Sequence, residues 1–230
     1  MKTNRKPLAS GLAAFVLTLG VIGAPTAQAD DPYAVVRAFW TSHHVAAEVQ
    51  DTLVAELATT GSVDAMEAGA EPVSVRTDDT GSATVSIATF ADGSIAVSSI
   101  EKPPDPQPGQ ISPRASVYGC SATTGSGYAT YKNCTVGSDN GIFKMNFLVN
   151  YEKYQGANAK ILAAWNAKAT STTGSITSPT RETWRPQSSS FQQAVAKYHS
   201  DYQAWSSGMS QDVYLGFWLT STGATSTSTS

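Results

Sequence analysis

The chain has 230 residues, 41% hydrophobic and 14% charged, with a formal net charge of −3. That length and apolar content support a buried core. The weak, slightly negative charge, without a lysine or arginine cluster, excludes nucleic acid as a partner held by a basic surface.

The first segment reads as a secretory signal peptide, residues 1–29. Lys2, Arg5 and Lys6 precede an uncharged apolar run from Leu8 to Gly23, and Ala27-Gln28-Ala29 supplies the small residues that a signal peptidase reads. Several glycines within the run and Pro25 just beyond it make the segment too weakly apolar for a retained anchor, so no membrane span is expected after signal removal. The Ala/Gly/Pro style of the leader looks bacterial, and the expected location is extracellular. In that compartment Cys120 and Cys134 are expected to close a disulfide, worth about 3 kcal/mol for a loop of this length.

Residues 30–100 read as a small acidic α+β unit. Asp31-Pro32 supplies a helix start, Gly61 a stop, and Val36, Trp40, Val45, Val49, Leu53 and Leu57 form an apolar helical stripe, with a break near Thr41-Ser42. From Pro72 the period changes to two. Three β-prone runs, Pro72 to Thr77, Ala83 to Phe90 and Ser94 to Ile100, predict an antiparallel meander packed on that stripe. A two-residue Asp92-Gly93 turn would set Phe90 opposite Ile95, Ala88 opposite Val97 and Val85 opposite Ile100.

The prolines between Glu101 and Arg114 predict a linker over 101–114. Beyond it, residues 115–221 read as a mainly-β sandwich or jelly-roll-like domain. Phe143, Met145, Phe147, Val149 and Tyr151 alternate with polar residues, as do Val213, Leu215, Phe217 and Leu219. Phe191 to Trp205 fits both periods and is read as strand. Residues 222–230 are expected to be a disordered polar tail.

Charge divides with this organisation. Residues 30–114 carry thirteen acids against four bases, a net of −9, and residues 115–230 carry five against eight, a net of +3. Such halves attract when docked, as an acidic pro-segment would attract a mature domain.

Residue type and spacing offer three chemistries. His44, Glu48 and Asp51, at i, i+4 and i+7 of a helix, are metal-ligand candidates, although the same residues suit a solvated helix face. His199 with Asp201 offers a base and an orienting acid for hydrolysis, but no Gly-x-Ser-x-Gly elbow accompanies them. A carboxylate pair for glycoside hydrolysis would have to come from Asp139, Glu152, Glu182, Asp201 and Asp212, none in an identifying context.

The aromatic residues outnumber what one core face needs. Trp184, Trp205, Tyr202 and Trp218 are candidate binding residues, because rings on an outer sheet face stack on sugars or on a partner protein. The expected function is therefore a secreted, non-enzymatic binding or interaction protein without a cofactor, its ligand a polysaccharide, a cell surface or a protein. A secreted hydrolase or toxin made as a precursor, with residues 30–114 as pro-segment, is the alternative. A structural envelope protein is the third.

Overall fold

A computed structural model describes residues 31–104 and 119–229, with side chains described as far as residue 226. The predicted signal peptide and most of the predicted linker lie outside the described residues. Two short helices near the N-terminus, α1 (Ala34–Ser42) and α2 (Ala47–Thr59), precede a fold that is mostly antiparallel β-sheet. Among the described residues no helix is long and apolar enough to cross a membrane.

The helical stripe is interrupted at residues 43–46, just after the Thr41-Ser42 break expected from the sequence. His44 adopts φ of +64°, which ends α1, and buried Gln50 closes the corner by donating its side-chain amide to the Val45 carbonyl at 2.9 Å and to Thr41 Oγ1 at 3.0 Å. The helix stops at Gly61, whose φ of +83° few other residues adopt at low cost. Val36, Trp40, Leu53 and Leu57 are buried, and Val45 and Val49 are packed against the core.

The meander forms from β1 (Ser74–Asp79), β2 (Ala83–Thr89) and β3 (Ile95–Glu101). Its register differs from the expected one by a residue: Ile95 faces Thr89, Ala96 faces Ala88, Val97 faces Ile87 and Ile100 faces Thr84. The cause is the turn. Phe90 and Ser94 are joined by a 2.9 Å backbone hydrogen bond and Gly93 sits at φ +87°, so the loop has three residues and ends in a left-handed glycine.

The later strands are β4 (Ser121–Gly125), β5 (Tyr128–Asp139), β6 (Phe143–Tyr154), β7 (Lys160–Ser171), β8 (Gly174–Ile176), β9 (Thr180–Arg185), β10 (Ala194–Ala204), β11 (Ser210–Leu219) and β12 (Ala224–Thr229). One sheet runs β1-β2-β3-β5-β6-β7 with β4 on β5. The other runs β12-β11-β10-β8 with β9 on β10. The described residues from Asp31 onward thus form one compact unit, and β3, before the expected 101–114 junction, pairs with β5, after it.

The segment from 194 to 204 is a strand, with Ala194, Ala196, Tyr198, Tyr202 and Ala204 buried at a period of two. Within the segment expected to be a polar tail, β12 pairs with β11 from Ala224↔Leu219 to Thr229↔Tyr214. A Ser/Thr run cannot build a core, but an edge strand needs only one hydrogen-bonding neighbour, and threonine's branched Cβ suits extended backbone.

The inner faces of the two sheets meet through aromatic contacts: Phe147 with Tyr198 at 4.9 Å, Tyr151 with Phe217 at 5.2 Å and Phe143 with Tyr202 at 5.9 Å between ring centroids. The helices cover one end. Phe39 of α1 lies on Gly141 in the β5–β6 turn, and Val49 of α2 lies on Gly93 in the β2–β3 turn. The opposite end carries the β4–β5, β6–β7, β9–β10 and β11–β12 turns.

Candidate functional site

Cys120 and Cys134 are joined in a disulfide at the point where β4 leaves β5. Glu101, the last residue of β3, braces it. One carboxylate oxygen accepts the Cys120 N–H and the other the Thr135 N–H, each at 2.9 Å. Burial pushes this carboxyl up, but the two backbone donors together with the Thr135 hydroxyl outweigh it and hold its pKa below the usual glutamate value.

The helical metal candidates are not brought together. His44 lies in the α1–α2 turn, Glu48 in the first turn of α2, and Asp51 is paired with Arg37 at 2.7 Å, so the continuous helix on which their spacing depended does not exist.

His199 and Asp201 are brought together, and with a third residue that spacing alone does not reveal. On the outer face of β10 and β11, His199 Nε2 is 3.1 Å from Asp212 Oδ1 and 3.5 Å from Asp201 Oδ1. The imidazole leans on the Tyr214 ring at 5.1 Å, and Lys197 Nζ sits 3.7 Å from the centroid of the same ring while paired with Glu182 at 2.9 Å.

The four aromatic candidates do not share a surface. Tyr202 is fully buried rather than on an outer face, its hydroxyl 2.8 Å from Thr173 Oγ1, because its strand position points between the sheets. Trp205 is 71% exposed but stands just past β10, at the helix-covered end. Trp184 is stacked against Arg181 at 4.8 Å on the edge strand β9. Trp218 lies toward the opposite end of β11 with its indole folded over Gly216, which occupies one face of the ring.

A different aromatic group lines an open cleft. At the end away from the helices, Thr124, Gly125, Gly127, Tyr128, Ala129, Lys153, Tyr154, Gln155 and Ser221 surround an open cleft of about 370 Å³. Tyr128 and Tyr154 stand directly opposite each other across β5 and β6, and both remain well exposed, at 45% and 36%. Their pairing depends on a bulge. Asn133 takes φ of +57° and the register shifts between Tyr131 and Cys134; if the Cys134↔Val149 register continued unbroken, Tyr128 would face Gln155.

The polar groups around the cleft are held in place. The Tyr154 hydroxyl donates to Glu152 Oε2 at 2.5 Å, and this hydrogen bond raises the pKa of the phenol. Lys153 Nζ lies 5.8 Å from the centroid of Tyr131, itself stacked on Tyr151 at 4.5 Å, and burial lowers the pKa of the lysine. The cleft thus offers two tyrosine rings, an ammonium, an amide and hydroxyls at the strand ends and their turns. That set can hold a hydroxyl-rich ligand by stacking and hydrogen bonding.

Compared with protein-family models, curated proteins and solved structures, the chain matches none.

Proposed function

We propose that this chain is a secreted, non-enzymatic binding protein, and that its ligand is a polysaccharide seated in the cleft between Tyr128 and Tyr154. In this reading the two stacked sheets are a β-sandwich that displays the strand ends. The observation that carries it is the cross-strand pair of half-exposed tyrosines at this cleft, flanked by Lys153 and Gln155. Sugar rings present C–H faces to aromatic planes and hydroxyls to amide and ammonium donors, and an open cleft admits a chain rather than only a chain end.

The test is sedimentation with insoluble cellulose, chitin and peptidoglycan, together with titration of soluble xylan and mixed-linkage glucan. Binding to one of these that falls on Tyr128→Ala and Tyr154→Ala, with the circular dichroism unchanged, supports the reading. No binding across the panel, or binding indifferent to both substitutions, overturns it.

The opposite charge of the two halves, −9 against +3, favours a second reading in which residues 30–114 are the pro-segment of a precursor. Intact mass of the protein from culture medium separates the two: a species beginning near Ala115 favours the precursor, one beginning at Asp30 the binding protein.

A further inference from the structure

Asp201 and Asp212 are direct partners across the antiparallel β10–β11 pair. Like charges placed opposite each other on one sheet face repel, so this arrangement calls for a cation between them. Among the described residues, neither carboxylate is paired with a lysine or arginine, and neighbouring Lys197 is committed to Glu182 and to the Tyr214 ring. His199 fills the gap, two residues before Asp201 and so on the same face. One ligand atom from each of His199, Asp201 and Asp212 lies within 4.8 Å of the other two.

The geometry suits a metal ion. Zinc binds imidazole nitrogen and carboxylate oxygen at about 2.0–2.2 Å, which sets neighbouring tetrahedral ligands roughly 3.3–3.6 Å apart. From His199 Nε2, Asp201 Oδ1 at 3.5 Å lies in that range, and Asp212 Oδ1 at 3.1 Å, a hydrogen-bond distance, falls just short of it. Asp201 is also oriented from behind. Its backbone N–H donates to Thr177 Oγ1 at 2.8 Å, and that hydroxyl donates to Asp201 Oδ2 at 3.4 Å, which leaves Oδ1 turned toward the imidazole. Metal-ligating carboxylates are held by outer hydrogen bonds of this kind.

We propose that His199, Asp201 and Asp212 bind a divalent cation of the zinc class, with water in the remaining position. The imidazole ligand selects zinc, nickel or copper over calcium and magnesium, which prefer oxygen alone. The ion neutralises the carboxylate pair and braces the β10–β11 hairpin on its outer face. This site is separate from the tyrosine cleft, so it stands or falls independently of the polysaccharide reading.

The experiment is calorimetric titration of tag-free, chelator-treated protein with zinc at neutral pH, followed by cobalt substitution read in the visible spectrum. One equivalent is expected to bind. His199→Ala and Asp212→Asn should each weaken binding roughly tenfold to a hundredfold. His44→Ala and Glu182→Gln should leave it unchanged, and calcium should bind more weakly than zinc. Circular dichroism of each variant separates lost binding from lost folding. Absence of binding at millimolar zinc, or binding that survives His199→Ala in folded protein, overturns the proposal.

Discussion

The Ser206 hydroxyl donates to the Leu57 carbonyl at 2.9 Å, joining the end of α2 to the β10–β11 turn. Around that bond Gly61 is pressed against Ser207 and Ala204, and the Gln211 amide donates to the Met66 carbonyl. Val36, Trp40, Leu53, Leu57 and Met66 are almost completely buried, each worth on the order of 1.5–3 kcal/mol against exposure.

A chain broken anywhere between residues 104 and 119 is therefore expected to stay together. Size exclusion under native conditions should show one species, and a denaturing gel two. The disulfide cannot be the tether, since Cys120 and Cys134 both lie after the break. A C-terminal piece that elutes alone with an unchanged spectrum would show that the helices and meander are dispensable, as the precursor reading requires.

Glu101 links pH to stability. Its pKa is lowered in the folded state, so it contributes stability above the ordinary glutamate range, and that contribution disappears as pH falls through the lowered value. Glu101→Gln replaces one acceptor by a donor facing a backbone N–H. At neutral pH it should cost about 1–2 kcal/mol, a figure discounted because the carboxylate is partly solvated. Urea midpoints measured from neutral pH into the acid range should show the gap between wild type and variant narrowing. A gap independent of pH would mean that the carboxylate charge does not matter.

Gly93 carries the hairpin. An added Cβ would lie 2.5 Å from Val49 Cγ1, and its φ is +87°. Gly93→Ala should cost roughly 1–3 kcal/mol from the backbone conformation alone. The contact adds to this, so combination with Val49→Ala should recover part of the loss. If the double variant shows no recovery in its thermal midpoint, α2 does not bear on the turn as described.

The same glycine explains one limit of reading the sequence. Alternation identified the inward residues of β6 and β11, because their side chains answer to a single buried face; in β10, whose residues fit both periods, it did not place Tyr202. It identified Asp92-Gly93 as a turn but not its length, and one residue of length moved every partner in the hairpin. The pairing of β3 with β5 was illegible, because it joins residues on either side of the proline-rich stretch. The site was less legible still. The alignment of Tyr128 with Tyr154 depends on the bulge at Asn133, and Asp212 joins His199 only through the β10–β11 register. An asparagine, which tolerates left-handed backbone, was the signal available for the bulge.

Gly125 gives the sharpest test of the cleft. The Tyr128 ring lies so close over Gly125 that any side chain there would displace it. Gly125→Ala should therefore tilt the ring out of its place opposite Tyr154 and weaken polysaccharide binding about twofold to tenfold, the scale of one aromatic contact. Tyr128→Phe keeps the ring and should retain most of the affinity. These two substitutions separate ring position from the phenolic hydroxyl. If Tyr128→Phe is as damaging as Gly125→Ala in the same titration, the hydroxyl rather than the ring face holds the ligand, and stacking is the wrong account of the cleft.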